Sequence, residues 1–210
     1  GEEWVLDLFR EGGDIYCETG SRMFNETVTK GSPLRQKSKV AVLACGYQGS
    51  VGALKTMGAL DMGLTEPELK PLVDAWRDAN PNIVGLWADV EEAAIQAITT
   101  RAKINLHCLS FAVRSGVLFV TLPSGRSLAY VQPSLGENRW GMPSINYWGV
   151  GANKKWQKLE TYGGKLVENI VQAIARDRLT YSLRTLEDSG HRVVMHVHDE
   201  AVIEEPCESS

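Results

Sequence analysis

A chain of 210 residues can hold one sizeable domain or two small ones, and 43% hydrophobic with 23% charged residues is an ordinary globular composition. No apolar run approaches a membrane span and the start does not resemble a signal peptide, while Cys17, Cys45, Cys108 and Cys207 lie scattered with no C-x-x-C, which argues against a zinc ribbon or a disulfide framework and fits a reducing cytoplasm. With a formal net charge of −4, any contact with nucleic acid has to come from a local basic patch and not from a global field.

Residues 2–10 read as a helix closed by Glu11-Gly12-Gly13, and Asp14 reads as the N-cap of a second helix over Ile15–Phe24. Ser32-Pro33 is an N-cap followed by proline at the first helical position, so it opens a third helix. Its segment 35–47, RQKSKVAVLACGY, spaces Arg35, Lys39, Leu43 and Tyr47 four residues apart. Each such step turns only about 40° around a helix, so the four share one slowly drifting face. That face carries two cations, then an aliphatic residue, then an aromatic ring. A triphosphate, a sugar and a base would be met in that order. On spacing alone the same stripe is the solvated face of an amphipathic helix. Lys30, Arg35, Lys37 and Lys39 also form the clearest basic cluster, with no acid among residues 30–39. A helix N-terminus adds partial positive charge there, which favours phosphate.

Gly46, Gly49 and Gly52 break this helix, and a short one is expected over residues 51–60. Thr65-Glu66-Pro67-Glu68 is a capping box that opens a helix to about Asp78. Pro81 starts another through Val84, Leu86, Trp87, Val90, Ala94 and Ile98, with Trp76 and Trp87 as core residues. From Asn105 the pattern changes: Leu106, Leu109, Val113 and residues 117–121 are β-prone, and LFVTLPSGRSLAYVQP reads as a hairpin turning at Pro123-Ser124-Gly125. Residues 136–152 have no clear period and are expected to be irregular. Their Trp140, Tyr147 and Trp148 read as buried loop aromatics, with base stacking as the alternative. Residues 154–188 carry the longest helical signal, weakened at Gly163-Gly164, where the helix bends or starts. After Ser189-Gly190, residues 192–197 and 201–204 read as two strands around His198-Asp199-Glu200, a hairpin with an acidic tip; Pro206 ends it and the acidic tail is expected to fray. The sum is a mostly helical α+β chain, with a helical part at 1–104 and a part with β-hairpins and one long helix at 105–210.

R-x-x-x-K-x-x-x-(aromatic)-x-x-x-Y resembles motif B of the family A DNA polymerases, the O helix of the fingers, and VHDE at residues 197–200 resembles motif C of the same family. The two stand in the family's order at a matching separation. KVAVLACGYQG and YGGKLVENIVQAIARD resemble the bacteriophage and prophage branch, so the likeness covers nearly the whole chain. It implies template-directed DNA synthesis by a nucleotidyl transferase that uses dNTPs on primer–template DNA. It also implies two divalent cations, Mg2+ or Mn2+, and a fold of helical fingers plus part of a palm. Such chemistry must activate a 3′-hydroxyl and neutralise a triphosphate; two hard cations on carboxylates do both, helped by Lys and Arg.

By that resemblance Asp199 is a metal ligand, with Glu200 beside it and His198 near the primer end. Arg35 and Lys39 become triphosphate contacts, and Tyr47 guards the templating position. Leu43 stands where an aromatic residue that tunes sugar discrimination is common, Gln48 replaces the usual glycine after the tyrosine, and Tyr16 replaces a histidine that approaches the phosphates. The Q-G pair that reads the primer–template minor groove falls on Glu168-Asn169, where a carboxylate is a different proposition from an amide; Gln172 is a further DNA-binding candidate on that helix. The motif B helix is expected to swing on nucleotide binding, with Ser32-Pro33 and Gly49/Gly52 as hinges. No D-(Y/F)-S-x-x-E element of motif A occurs. The chain is therefore expected to be a fragment cut just downstream of it, silent in catalysis by itself.

Two other classes compete. His196-x-His198-Asp199 is similar to part of the H-x-H-x-D-H signature of metal-dependent hydrolases, but the aspartate follows the second histidine directly, no final histidine follows, and His107 and His191 supply no second cluster. A non-catalytic nucleic-acid-binding fragment is the third reading. Without motif B, Asp199 would be read simply as a turn residue of a hairpin.

Overall fold

Local chemistry starts most of the helices. In the computed structural model, which describes residues 2–138, 141 and 143–206, Asp14 Oδ1 accepts the N–H groups of Tyr16 (3.0 Å) and Cys17 (3.1 Å) and so caps α2, Ile15–Phe24. It follows α1, Glu3–Arg10. Ser32 Oγ accepts Leu34 N–H at 3.2 Å, with Pro33 next, at the start of α3, Pro33–Cys45. After the short α4, Val51–Thr56, Glu68 accepts Thr65 N–H at 2.7 Å and anchors the box that opens α5, Glu66–Ala79. Pro81 begins α6, Pro81–Thr100, whose first turn is capped from far away: the buried Glu2 carboxylate accepts Asn82 N–H at 2.7 Å and Ile83 N–H at 3.1 Å. A carboxylate there also meets the positive end of the helix dipole.

The second half is a sheet followed by one long helix. β1 (Ile104–Leu106), β2 (Leu109–Arg114), β3 (Val117–Thr121), β4 (Ser127–Glu137), β5 (Pro143–Val150) and β6 (Trp156–Thr161) form an antiparallel sheet in sequence order. Then come α7, Gly163–Asp188, and a separate hairpin of β7 (Arg192–Val197) and β8 (Glu200–Glu204). This is a mixed α+β chain. Among the described residues no helix is long and apolar enough to cross a membrane.

Several expectations need correction. α3 stops at Cys45, so Tyr47 sits in the turn beyond the helix: Gly46 N–H still reaches Val42 at 3.2 Å, but Gln48 takes φ +66° and turns the chain away. α4 ends at Thr56 and not at residue 60, closed by Met57 N–H on Ala53 and by Gly58 at φ +78°. Residues 143–150 are a strand and not irregular, and residues 156–161 are a strand and not the start of the long helix. Side chains alternate along both, which places Tyr147 and Trp148 on opposite faces of β5 and not in a loop. Of the other expectations, Trp140, Cys207 and the last acidic residue of the tail lie outside the described residues.

The buried core runs without a break from the helices into the sheet: Leu54, Leu69 and Val73 belong to the same cluster as Phe111, Leu118, Ile145 and Leu166. Trp76 and Trp87 stack inside it, 6.0 Å apart and 10° from parallel. The β3–β4 turn is pinned to α7, because Asp177 accepts Ser124 Oγ (2.6 Å) and Arg126 Nε (2.7 Å). Those bonds, the hydroxyl's first, hold the Asp177 carboxyl below its ordinary range.

Candidate nucleotide and nucleic-acid site

Arg35, Lys39 and Leu43 follow one another along α3 as their spacing implies, with Tyr47 in the turn beyond it, and α2 supplies what lies beneath. Arg35 donates through Nε (3.1 Å) and a terminal nitrogen (2.7 Å) to Asp14 Oδ2. One carboxylate thus caps α2 with one oxygen and holds the arginine with the other. The guanidinium's hydrogen bonds hold the Asp14 carboxyl below its ordinary range, with the capping N–H groups adding to the effect, and the same pairing raises Arg35. The Tyr16 ring lies under both cations, 5.3 Å from the Arg35 guanidinium carbon and 5.8 Å from Lys39 Nζ. Lys37 instead points to Glu68 at 3.5 Å, so the basic cluster divides between two faces.

Further along, the face becomes apolar. Leu43, 49% exposed, and the half-buried Tyr47 line a cavity of about 390 Å³ together with Ile15, Val42, Val167 and Val171. Burial, and secondarily Glu168, raise the Tyr47 phenol above its usual value. Cys45, buried behind this face, has its thiol pushed up to about 11 by burial, which makes it an inert core residue.

The turn that carries Tyr47 is fixed against α7. Tyr162, the residue before that helix, provides no side-chain cap; Gln48 Oε1 does so, accepting Gly164 N–H at 2.8 Å across 116 residues. The two glycines make the approach possible. A Cβ on Gly164 would lie 2.4 Å from Gln48 Cβ and 2.5 Å from the Tyr47 carbonyl oxygen, and one on Gly163 would lie 2.0 Å from the Trp87 carbonyl oxygen. Gly163-Gly164 is thus a close crossing that sets where α7 begins. Gly49, expected as a hinge, is also a packing glycine, since its Cβ would sit 1.8 Å from the Ala44 carbonyl oxygen; Gly52 has open space around it.

On α7, Glu168 is paired with Lys165 at 2.7 Å and Asn169 donates to the Tyr130 hydroxyl at 3.0 Å. Both are engaged inside the chain. Gln172 is placed differently: with Arg176 and Leu179 it lines a cavity of about 420 Å³ shared with His198 and Asp199. The β7–β8 connection is the two-residue turn His198-Asp199, with His198 at φ +53°, and Glu200 opens β8 opposite Val197. Asp199 and Glu200 are exposed. Among the described residues no three His, Cys, Asp or Glu side chains gather as a metal site, so His196, His198 and Asp199 do not form a hydrolase-type cluster. Asp199 and Glu200 offer hard oxygen donors suited to magnesium, but too few to hold it tightly by themselves.

Sequence reading missed three participants. Asp14 was visible as a cap but not as the partner of Arg35, 21 residues on. Tyr16 stands out in the sequence only as a replaced histidine. Gln48 stands out only as a replaced glycine, and nothing local signals its bond to Gly164.

Over 98% of its length the chain is 56% identical to a DNA polymerase of Bacillus phage SP02, of which it covers 33%. It is 24% identical over 213 residues to the thermostable DNA polymerase I of Thermus aquaticus, of which it covers 21%. The chain therefore spans a third or less of the length of these curated relatives. No protein-family model matches it.

Proposed function

We propose, from the premise that this chain is a segment of a family A-like DNA polymerase, that α3 and the turn after it receive the incoming deoxynucleoside triphosphate. The β7–β8 tip supplies one carboxylate to the metal site. The observation that carries this reading is the polarity of one helix face. Arg35 and Lys39 stand over Tyr16 at one end, and Leu43 and Tyr47 line an apolar cavity at the other.

In the reaction a primer 3′-hydroxyl attacks the α-phosphorus and pyrophosphate leaves. Magnesium or manganese, when bound, neutralises the triphosphate and lowers the pKa of the attacking hydroxyl. Asp199 is the residue that would hold it, with Glu200 adjacent. Arg35 exchanges Asp14 for phosphate oxygens, and Lys39 adds a second donor; both stabilise charge on the transferring group. Tyr16 keeps the two cations in position before the nucleotide arrives. Leu43 packs the sugar, Tyr47 guards the templating position, and Gln48 fixes Tyr47 by its bond to Gly164. Gln172, beside Asp199 and His198, is better placed to meet primer–template DNA than Glu168 or Asn169, which are already bonded within the chain.

Asp199 and Glu200 do not complete a two-metal site. The remaining ligands would come from sequence outside these 210 residues. The chain alone is thus expected to bind DNA weakly and to extend no primer in magnesium. The decisive test is Lys39→Ala in a complete polymerase containing this segment. A charge-assisted hydrogen bond is worth about 1.5–3 kcal/mol, so KM should rise about ten-fold or more for all four nucleotides alike. A loss confined to one base would overturn the phosphate role.

A further inference from the structure

The outer face of the sheet carries a feature that the nucleotide and metal sites leave unused. Directly paired residues on neighbouring strands share a face, and the pairs Arg114↔Val117, Val117↔Val131, Val131↔Trp148 and Trp148↔Lys158 draw one continuous row across β2 to β6. The row lies on the face opposite Tyr130 and Tyr147, which meet edge to face on the core side. At its β5–β6 end Trp148 is 38% exposed and Trp156 is 58% exposed. Val150 is paired with Trp156, so the two indoles are diagonal neighbours on one face. Diagonal positions in a sheet are about 7–8 Å apart, close to two base-stacking steps of about 3.4 Å.

Charge is concentrated at the same place. Residues 147–159, YWGVGANKKWQKL, hold three lysines and no acid in a chain of net charge −4. Lys154, Lys155 and Lys158 are exposed, and no ion pair engages them among the described residues. Glu160 closes the patch on the side towards α7. The turn that presents the lysines is built: Asn153 Oδ1 accepts Lys155 N–H at 3.0 Å, Asn153 Nδ2 donates to Gln157 at 3.1 Å, and Gly151 N–H bonds Lys155 at 2.9 Å.

Lysines on an edge strand are a common guard against strand-to-strand association. Two exposed indoles on the same face act in the opposite direction, so guarding the edge does not account for the combination. A ligand that accounts for both has flat apolar faces and a regular negative charge. We propose that the outer face of the β5–β6 hairpin is a binding platform for single-stranded DNA, with bases stacked on Trp148 and Trp156 and phosphates met by Lys154, Lys155 and Lys158. Stacking on aromatics is tolerant of sequence and the lysines read only the backbone, so the platform has little base preference. A duplex, whose bases are already stacked, cannot use it.

The test is fluorescence anisotropy of a labelled 20-residue oligothymidylate titrated with the 210-residue chain, with the thermal melt of each variant recorded. Stacking is worth about 1–3 kcal/mol per base, so W148A/W156A should weaken binding at least ten-fold at a temperature where its melt shows it folded, and W156A, the more exposed of the two, should by itself weaken binding without lowering the melt. K154E/K155E/K158E should weaken binding and reduce the slope of log K against log salt by about 2, three phosphates at about 0.7 each. Lys39→Ala and Asp199→Asn should leave it unchanged, so the platform and the nucleotide site fail separately. Unchanged affinity in the hairpin variants would overturn the platform. So would equal affinity for a blunt duplex, or a tryptophan-dependent self-association in place of oligonucleotide binding.

Discussion

Gly164→Ala is a sensitive probe of how the Tyr47 turn is held. In an open helical position this change is favourable, because glycine costs about 0.8–1.0 kcal/mol relative to alanine. At Gly164 the added carbon would lie 2.5 Å from the Tyr47 carbonyl oxygen, where ordinary contact begins at 3.4 Å, so one of them must retreat by about 0.9 Å (3.4 minus 2.5). The obstacle is backbone and cannot rotate away. Such overpacking costs about 1–3 kcal/mol. The retreat also breaks the 2.8 Å bond from Gly164 to Gln48, a loss of about 1 kcal/mol. Set against the propensity gain, the net loss is about 2 kcal/mol, or about 4–8 °C in Tm for a chain of this size. Gly85 is the control. It is exposed in α6 and its added Cβ meets nothing within 4 Å, so Gly85→Ala should gain about 0.5–1 kcal/mol. Urea and thermal melts by circular dichroism measure both. Two stabilised variants would refute the close crossing of α7 with the α3 exit.

Asp14 separates into two functions: Asp14→Asn keeps the cap of α2 and loses the charge that holds Arg35, whereas Asp14→Ala loses both and should cost about 1 kcal/mol more, the worth of a cap. Because the folded carboxyl is depressed below its ordinary value of 3.8, its contribution is complete above that pH and disappears as pH falls through the lower folded value; urea melts at pH 7 and pH 3 should show a smaller acid loss in Asp14→Asn than in the wild type, the remainder coming from other depressed carboxyls such as Asp177. In a complete polymerase, Asp199→Asn should abolish the chemical step with DNA binding nearly intact, since a metal ligand acts mainly in the transition state; near-normal turnover would remove Asp199 from the metal site.

What could be read in advance was what is decided locally. Asp14, Ser32-Pro33, Thr65 to Glu68 and Pro81 satisfy or tolerate the free N–H groups of their own helices, so four of the helix starts stand where caps and prolines place them. The apolar periodicity of residues 81–98 and the turn at Pro123-Ser124-Gly125 are local in the same sense. The strands β5 and β6 were hidden for two reasons. Asn146 and Gly149 dilute the alternation of 143–150, and Leu159, Tyr162 and Leu166 are spaced as well for a helix as for a strand entering one. The departure of Tyr47 from α3 depends on Gln48 at φ +66°, a conformation its side chain does not announce. For the site, the residues of the α3 face were legible from their spacing, but Asp14–Arg35 and Gln48–Gly164 are contacts across 21 and 116 residues, and no pattern in one sequence marks them.

The sheet between α6 and α7 has a kinetic consequence. Every strand in it pairs with its neighbour in sequence, so it can form from short loops alone, and low contact order makes for fast assembly. The contact that joins Gln48 to Gly164 is the opposite case, since it closes a loop of 116 residues. Closing a loop of that length costs more chain entropy than the short turns of the meander, so the meander forms first. Docking of α7 onto the α3 exit is therefore expected late in folding, after the transition state. Gln48→Ala should then speed unfolding while leaving the refolding rate nearly unchanged, a result that a denaturant chevron reads directly and that a slowed refolding limb would contradict.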